Sequence, residues 1–150
     1  MVALYNSGGK LLLQRRKHAL FSNKWDLTGA SHPLRLGSRN ESYAEAAARC
    51  VKTELGVGGV SFRKIGAFNY FVPQGKKCEN EHCAVIVGKY DGKVKANHDV
   101  AFGFRWETLG ETLREIRREP ESYVMWARLA TKVLRKHPIG RRLLRVDAAQ

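Results

Sequence analysis

The chain is poor in cysteine, proline and acid, and each shortage removes something. Its three cysteines, Cys50, Cys78 and Cys83, form no CxxC pair, and an odd number speaks against the disulfide framework of a small secreted protein. They are expected as reduced thiols. No apolar run approaches the roughly 18 residues of a membrane span, and the opening VALYNSGG has no basic segment ahead of a long apolar one. A soluble, cytoplasmic protein is expected. With 4 prolines, no repeat and no low-complexity stretch, the 150 residues are 43% hydrophobic, enough for one core and too few for two ordinary domains. Acids number 14 against 27 lysines and arginines, a net charge of +13. That excess predicts an anionic partner, whether a phosphorylated small molecule, nucleic acid or a membrane surface, without choosing among them.

What is present reads as strands at both ends of one helix, followed by more helices. Met1–Tyr5 and Lys10–Arg16 flank Asn6-Ser7-Gly8-Gly9 as a hairpin, and Trp25–Ala30 reads as a short strand. Ser38 with Glu41 three residues on is a capping-box pattern for a helix from about Asn40 to Leu55, stopped by Gly56. VSFRKIGAFNYFV and ENEHCAVIVGKY are long strands joined by PQGKK, and FGFRW is another. Helices are expected over Thr108–Arg118 and Ser122–Lys136. On the second, Met125, Leu129 and Val133 share a face and Trp126 packs in the core. His137-Pro138-Ile139-Gly140 breaks that helix, leaving 137–150 as a short helix or loose basic tail.

One stretch resists a purely structural reading. In ENEHC, residues 79–83, alternation puts Glu79 and Glu81 on one face, two carboxylates about 7 Å apart. Like charges side by side destabilise a sheet, so the pair calls for a partner. Cys78, His82 and Cys83 do not supply a zinc site, because alternation splits His82 from Cys83.

RCVKTELGV, residues 49–57, resembles the end of the Nudix box, G-x5-E-x7-R-E-U-x-E-E-x-G-U with U aliphatic. Glu41 stands at the x7 spacing from Arg49, and Glu54, Gly56 and Val57 match. Cys50 and Thr53 replace two metal-binding glutamates of the hydrolases, and Gly37 lies two residues too near Glu41. SHPL at 31–34, ENE at 79–81, LLLQRR at 11–16, Trp25, Tyr70 and Trp106 fall in the order seen in type 1 isopentenyl-diphosphate isomerase, a divergent Nudix family. The resemblance implies an α/β (α+β) Nudix fold, a mixed β-sheet sandwiched between helices, as a single domain over 1–136 with 137–150 as its basic tail.

The resemblance also implies a site. His32, Glu79 and Glu81 would coordinate a divalent metal, with Glu81 also the acid-base catalyst and Tyr70 beside it. Glu54 would help a magnesium ion hold a substrate diphosphate, neutralised further by Arg16, Lys17 and Lys24. Magnesium or manganese is expected, with zinc an alternative at His32, Glu79 and Glu81. A carboxylate in the last turn of a helix opposes the macrodipole, which favours a cation at Glu54.

Ala30 occupies the position of the isomerases' catalytic cysteine, and a methyl group transfers no proton. Ser31 has too high a pKa to substitute, and Cys83 lies on the glutamates' own face. The family draws further histidine ligands from a segment ahead of the first strand, for which His18 is the candidate replacement. Three functions follow in order. The first is a metal-dependent, isomerase-like enzyme acting on a diphosphate-containing small molecule. The second is a pyrophosphohydrolase of nucleoside diphosphate derivatives. The third is a non-catalytic nucleotide- or RNA-binding module. No RNA-binding motif or aromatic platform stands out in the sequence, so nucleic-acid binding is expected to be weak and non-specific.

Overall fold

The computed structural model describes residues 1–147. Eight strands run β1 (Val2–Tyr5), β2 (Lys10–Arg16), β3 (Trp25–Asp26), β4 (Arg35–Leu36), β5 (Arg39–Asn40), β6 (Phe62–Gln74), β7 (Lys77–Lys89) and β8 (Ala101–Thr108). Helix α1 (Tyr43–Leu55) lies between β5 and β6, and α2 (Leu109–Arg118), α3 (Met125–Lys136) and α4 (Pro138–Asp147) follow β8. The main sheet is ordered β3-β2-β1-β7-β6, with β8 also on β2. β1 runs parallel to β7 and the other pairings are antiparallel, so the sheet is mixed.

Alternation along β7 divides the core. Cys83, Val85 and Val87 join Trp126, Ala130 and Leu134 on one face. Ala84 and Ile86 join Ala47, Val51 and Leu55 on the other. The sheet is therefore covered by α1 on one side and by the C-terminal helices on the other. Gly56 ends α1 at φ 63°, a left-handed conformation that costs glycine little.

Three expectations change. The capping box of α1 is Ser42 with Glu45, not Ser38 with Glu41, and the helix starts at Tyr43. Glu41 is unavailable to cap because Arg49 and the Leu34 amide hold it, and Ser38 lies in the turn of the small β4–β5 ribbon beside Gly37 at φ 58°. The strand at Trp25 is only two residues long, since Leu27–Ala30 turns away to cross the end of β1, where Gly29 bridges Val2.

Residues after the Pro138 break form α4, with Leu143 buried against the larger core; 148–150 of the expected tail lie outside the described residues. Leu143→Ala should destabilise the protein by about 2–4 kcal/mol in urea unfolding. A loose tail would show no change.

Candidate active site

Register builds the site first. The β6–β7 hairpin places Tyr70 opposite Glu81 and Val72 opposite Glu79. Tyr70 Oη consequently donates to Glu81 Oε2 at 3.2 Å. From the other side His32 Nε2 meets Glu81 Oε1 at 2.5 Å. The loop carrying His32 is itself pinned from α1. Arg49 Nη2 donates to the His32 carbonyl at 2.8 Å, while its guanidinium makes two bonds to Glu41, whose Oε2 also accepts from the Leu34 amide. The Glu41–Arg49 spacing noted in the sequence thus positions the SHPL loop.

A cavity of about 260 Å³ opens at this point, lined among others by Arg16, His18, Ala30, His32, Tyr70, Glu79, Glu81 and Trp126. Four of the sequence-predicted site residues other than Glu54 and the lysines, namely His32, Tyr70, Glu79 and Glu81, therefore share one cavity with Arg16. Burial and the neighbouring Glu81 charge push Glu79 above the usual carboxylate range. Burial acts the same way on Glu81 and is the largest single influence on it, but the His32 bond and charge together with the bonds to Tyr70 and Glu79 outweigh it and hold Glu81 low. Tyr70 is raised by burial and by both glutamates, so it stays a neutral donor. The pair thus divides into a carboxyl that favours its proton and one that favours its charge.

The other predicted residues lie elsewhere. Lys17 donates to the His98 carbonyl at 3.0 Å and Lys24 faces Glu121 at 3.7 Å; neither lines the cavity. Their loop turns back through left-handed Phe21 and Asn23, which carries both lysines outward. Glu54 sits behind the cavity wall, accepting from Gln14 Nε2 at 2.7 Å with Cys50 Sγ 3.5 Å from its other oxygen. Gly29 passes directly over it, and a Cβ there would lie 3.0 Å from Cys50 Sγ and 3.2 Å from Glu54 Oε2. Burial raises Glu54 despite the Gln14 bond.

Sequence reasoning missed Asp26 and the second role of Trp126. Asp26, with no exposure, accepts from Arg16 Nη1 at 3.0 Å and from Trp126 Nε1 at 2.8 Å. Trp126 is core, as expected, and also a wall of the cavity, with the Arg16 guanidinium 5.0 Å from its ring.

The donors fit a divalent metal in kind: one or two imidazoles and two carboxylates on one cavity. Among the described residues no three His, Cys, Asp or Glu side chains converge to hold an ion. The 2.5 Å His32–Glu81 contact is too short to admit one between them and would have to open. The His32 side chain is 79% exposed, so its ring has room to turn.

Residues 1–128 match the NUDIX domain. The chain belongs to the NUDIX family. It is 32% identical over 128 residues to isopentenyl-diphosphate Delta-isomerase 2 of Aromatoleum aromaticum, covering 83% of this chain and 65% of that one. Identity to the isopentenyl-diphosphate Delta-isomerase of Serratia proteamaculans is 30% over 129 residues, covering 83% and 69%. The chain thus spans about two thirds of the length of these relatives. Among solved structures, DR0079 of Deinococcus radiodurans superposes with a TM-score of 0.68 at 26% identity, over 88% of this chain and 79% of its own. The expected α+β Nudix architecture is the one observed.

Glu54 yields a test by linkage. A carboxyl raised in the folded state binds its proton more tightly there than when unfolded, so its contribution to stability is present at low pH and lost as pH rises through the folded value. With metal chelated, the melting temperature of the parent should fall more steeply than that of Glu54→Gln as pH rises above the ordinary carboxylate range. Equal slopes would place the Glu54 carboxyl in the ordinary range.

Proposed function

We propose that this NUDIX protein is a metal-dependent enzyme acting on a small diphosphate ester, organised like the isomerases but with its proton chemistry on one wall of the cavity only. The observation that carries this reading is the convergence of His32, Glu79, Glu81 and Tyr70 on one cavity with Arg16. Its resemblance to the isopentenyl-diphosphate isomerases over most of the chain points to the same substrate class.

His32, Glu79 and Glu81 would hold the ion, and His18 lines the same cavity. When bound, magnesium or manganese, with zinc as the alternative, would offset the paired carboxylates and draw electron density from the diphosphate. Glu81 exchanges a proton with the substrate carbon nearest β7. Tyr70, donating to its second oxygen, holds that carboxyl in one orientation. Arg16 supplies the fixed positive charge inside the cavity. Net isomerisation adds a proton to an alkene carbon and removes one from the opposite face, so a second acid-base group is needed across the substrate. Ala30, at the position the resemblance gives to that group, lines the cavity without one, and Ser31, its hydroxyl 3.5 Å from the His32 carbonyl, has too high a pKa.

A pyrophosphohydrolase comes second. At the box positions where hydrolases carry glutamates this chain has Cys50 and Thr53, and the Cys50 thiol is raised by burial and by Glu54 and so stays protonated.

Two experiments test the reading. Glu79→Gln and Glu81→Gln should each weaken manganese binding in calorimetry and reduce the metal-dependent rise in melting temperature. Parent-like metal binding by both variants would remove the metal clamp. Ala30→Cys adds a thiol of ordinary pKa near 8.5, and this variant should convert isopentenyl to dimethylallyl diphosphate while the parent shows little or no turnover. A folded, metal-loaded variant with no gain would point to a pocket rebuilt for another ester, and a robustly active parent would show that Ala30 is no handicap.

A further inference from the structure

The main cavity has a neighbour. A second space of about 60 Å³ is lined from α1 by Tyr43, Ala46 and Ala47 and from β7 by Ala84 and Ile86. His32, Glu81 and Cys83 line both spaces. The bond from His32 Nε2 to Glu81 Oε1 therefore lies on their common boundary. Ala47, Ala84 and Ile86 belong to the smaller core, on the α1 side of the sheet, whereas Trp126 on the far wall of the main cavity belongs to the larger one.

Alanine makes this space. Ala46, Ala47 and Ala84 are each no more than 4% exposed, and methyl groups at three buried positions leave room that larger apolar side chains would close. Protein interiors keep few such voids. No lysine or arginine lines it, whereas Arg16 lines the main cavity, so a phosphate suits the one and a hydrocarbon group the other. It is also small. Pockets for drug-sized ligands begin at roughly 300 Å³, so this one has room for a short chain and none for a nucleoside. Admission of a metal ion already requires the His32–Glu81 contact to open, and the exposed His32 ring is free to turn. The same movement joins the two spaces.

We propose that the alanine-lined space is the subsite for the organic group of the substrate, reached when His32 turns away from Glu81; the proposal rests on the diphosphate-ester reading above. The phosphates lie toward Arg16, and the chain passes Glu81 to end against Ala46, Ala47 and Ala84. Glu81 on the boundary is then beside the chain, within reach of the carbon with which it exchanges a proton. Chain length is set by the alanines, since any larger side chain there shortens the group that fits.

The test compares isopentenyl diphosphate with methyl diphosphate, which carries the same phosphates and almost none of the chain, by calorimetry with magnesium present. The parent should bind isopentenyl diphosphate about tenfold or more tightly, through burial of the additional carbons. Ala46→Leu and Ala84→Val fill the subsite from opposite walls, the second with a β-branched residue that suits a strand. Each should reduce the preference about fivefold or more while leaving methyl diphosphate binding unchanged. Ala44→Leu, at an exposed position of the same helix, should keep the full preference. Melting temperatures show which variants fold, and either filled variant alone decides the matter. A folded filled variant that keeps the parent's preference, or that weakens both esters alike, overturns the subsite, as does a parent that binds the two esters equally. A parent that binds neither ester overturns the diphosphate-ester reading itself, and the subsite with it.

Discussion

The buried carboxylate of Asp26 holds the cavity together. It lies on β3, the guanidinium it binds on β2, and the indole it binds on α3, so one unexposed group ties two strands to a C-terminal helix. Burial pushes its pKa up, with the Arg16 charge and the Trp126 bond opposing. Such a group is costly unless every bond is made, and the Leu27 amide at 2.8 Å completes the set. Arg16 is left with its Nε buried and without a partner, next to the cavity. The same carboxylate that fixes the wall therefore leaves one donor of that wall uncommitted.

Much of the fold could be read in the sequence because local and global preferences agree there. The strands ending at Tyr5 and Arg16, the long hairpin around Gly75, and helix α2 all lie where propensity and turn residues put them. The start of α1 could not be read this way. Ser38 and Glu41 have the spacing of a cap, but a tertiary ion pair with Arg49 claims Glu41, and Ser42 with Glu45 offers the same spacing one turn later. Pattern alone does not rank two equivalent caps; the long-range partner does.

The site divides the same way. Glu79 and Glu81 were legible as a pair because strand period is a local property, and Tyr70 was named through the resemblance, its place opposite Glu81 coming from the hairpin register. The places of Lys17 and Lys24 were not, since a loop with two left-handed non-glycine residues sends them outward. Asp26 was not either, because its partners come from β2 and from α3, a hundred residues away.

The parallel pairing of β1 with β7 sets the order in which this chain can mature. Val2 lies opposite Ile86 and Tyr5 opposite Lys89, so the first strand can pair locally with β2 but its other edge stays open until β7 is in place. The hairpin itself is local and α1 is capped at both ends; both can form early. β1, with almost no polar surface, waits for them, which makes its closure the high-entropy step of folding and the interval in which an apolar edge is open to other chains.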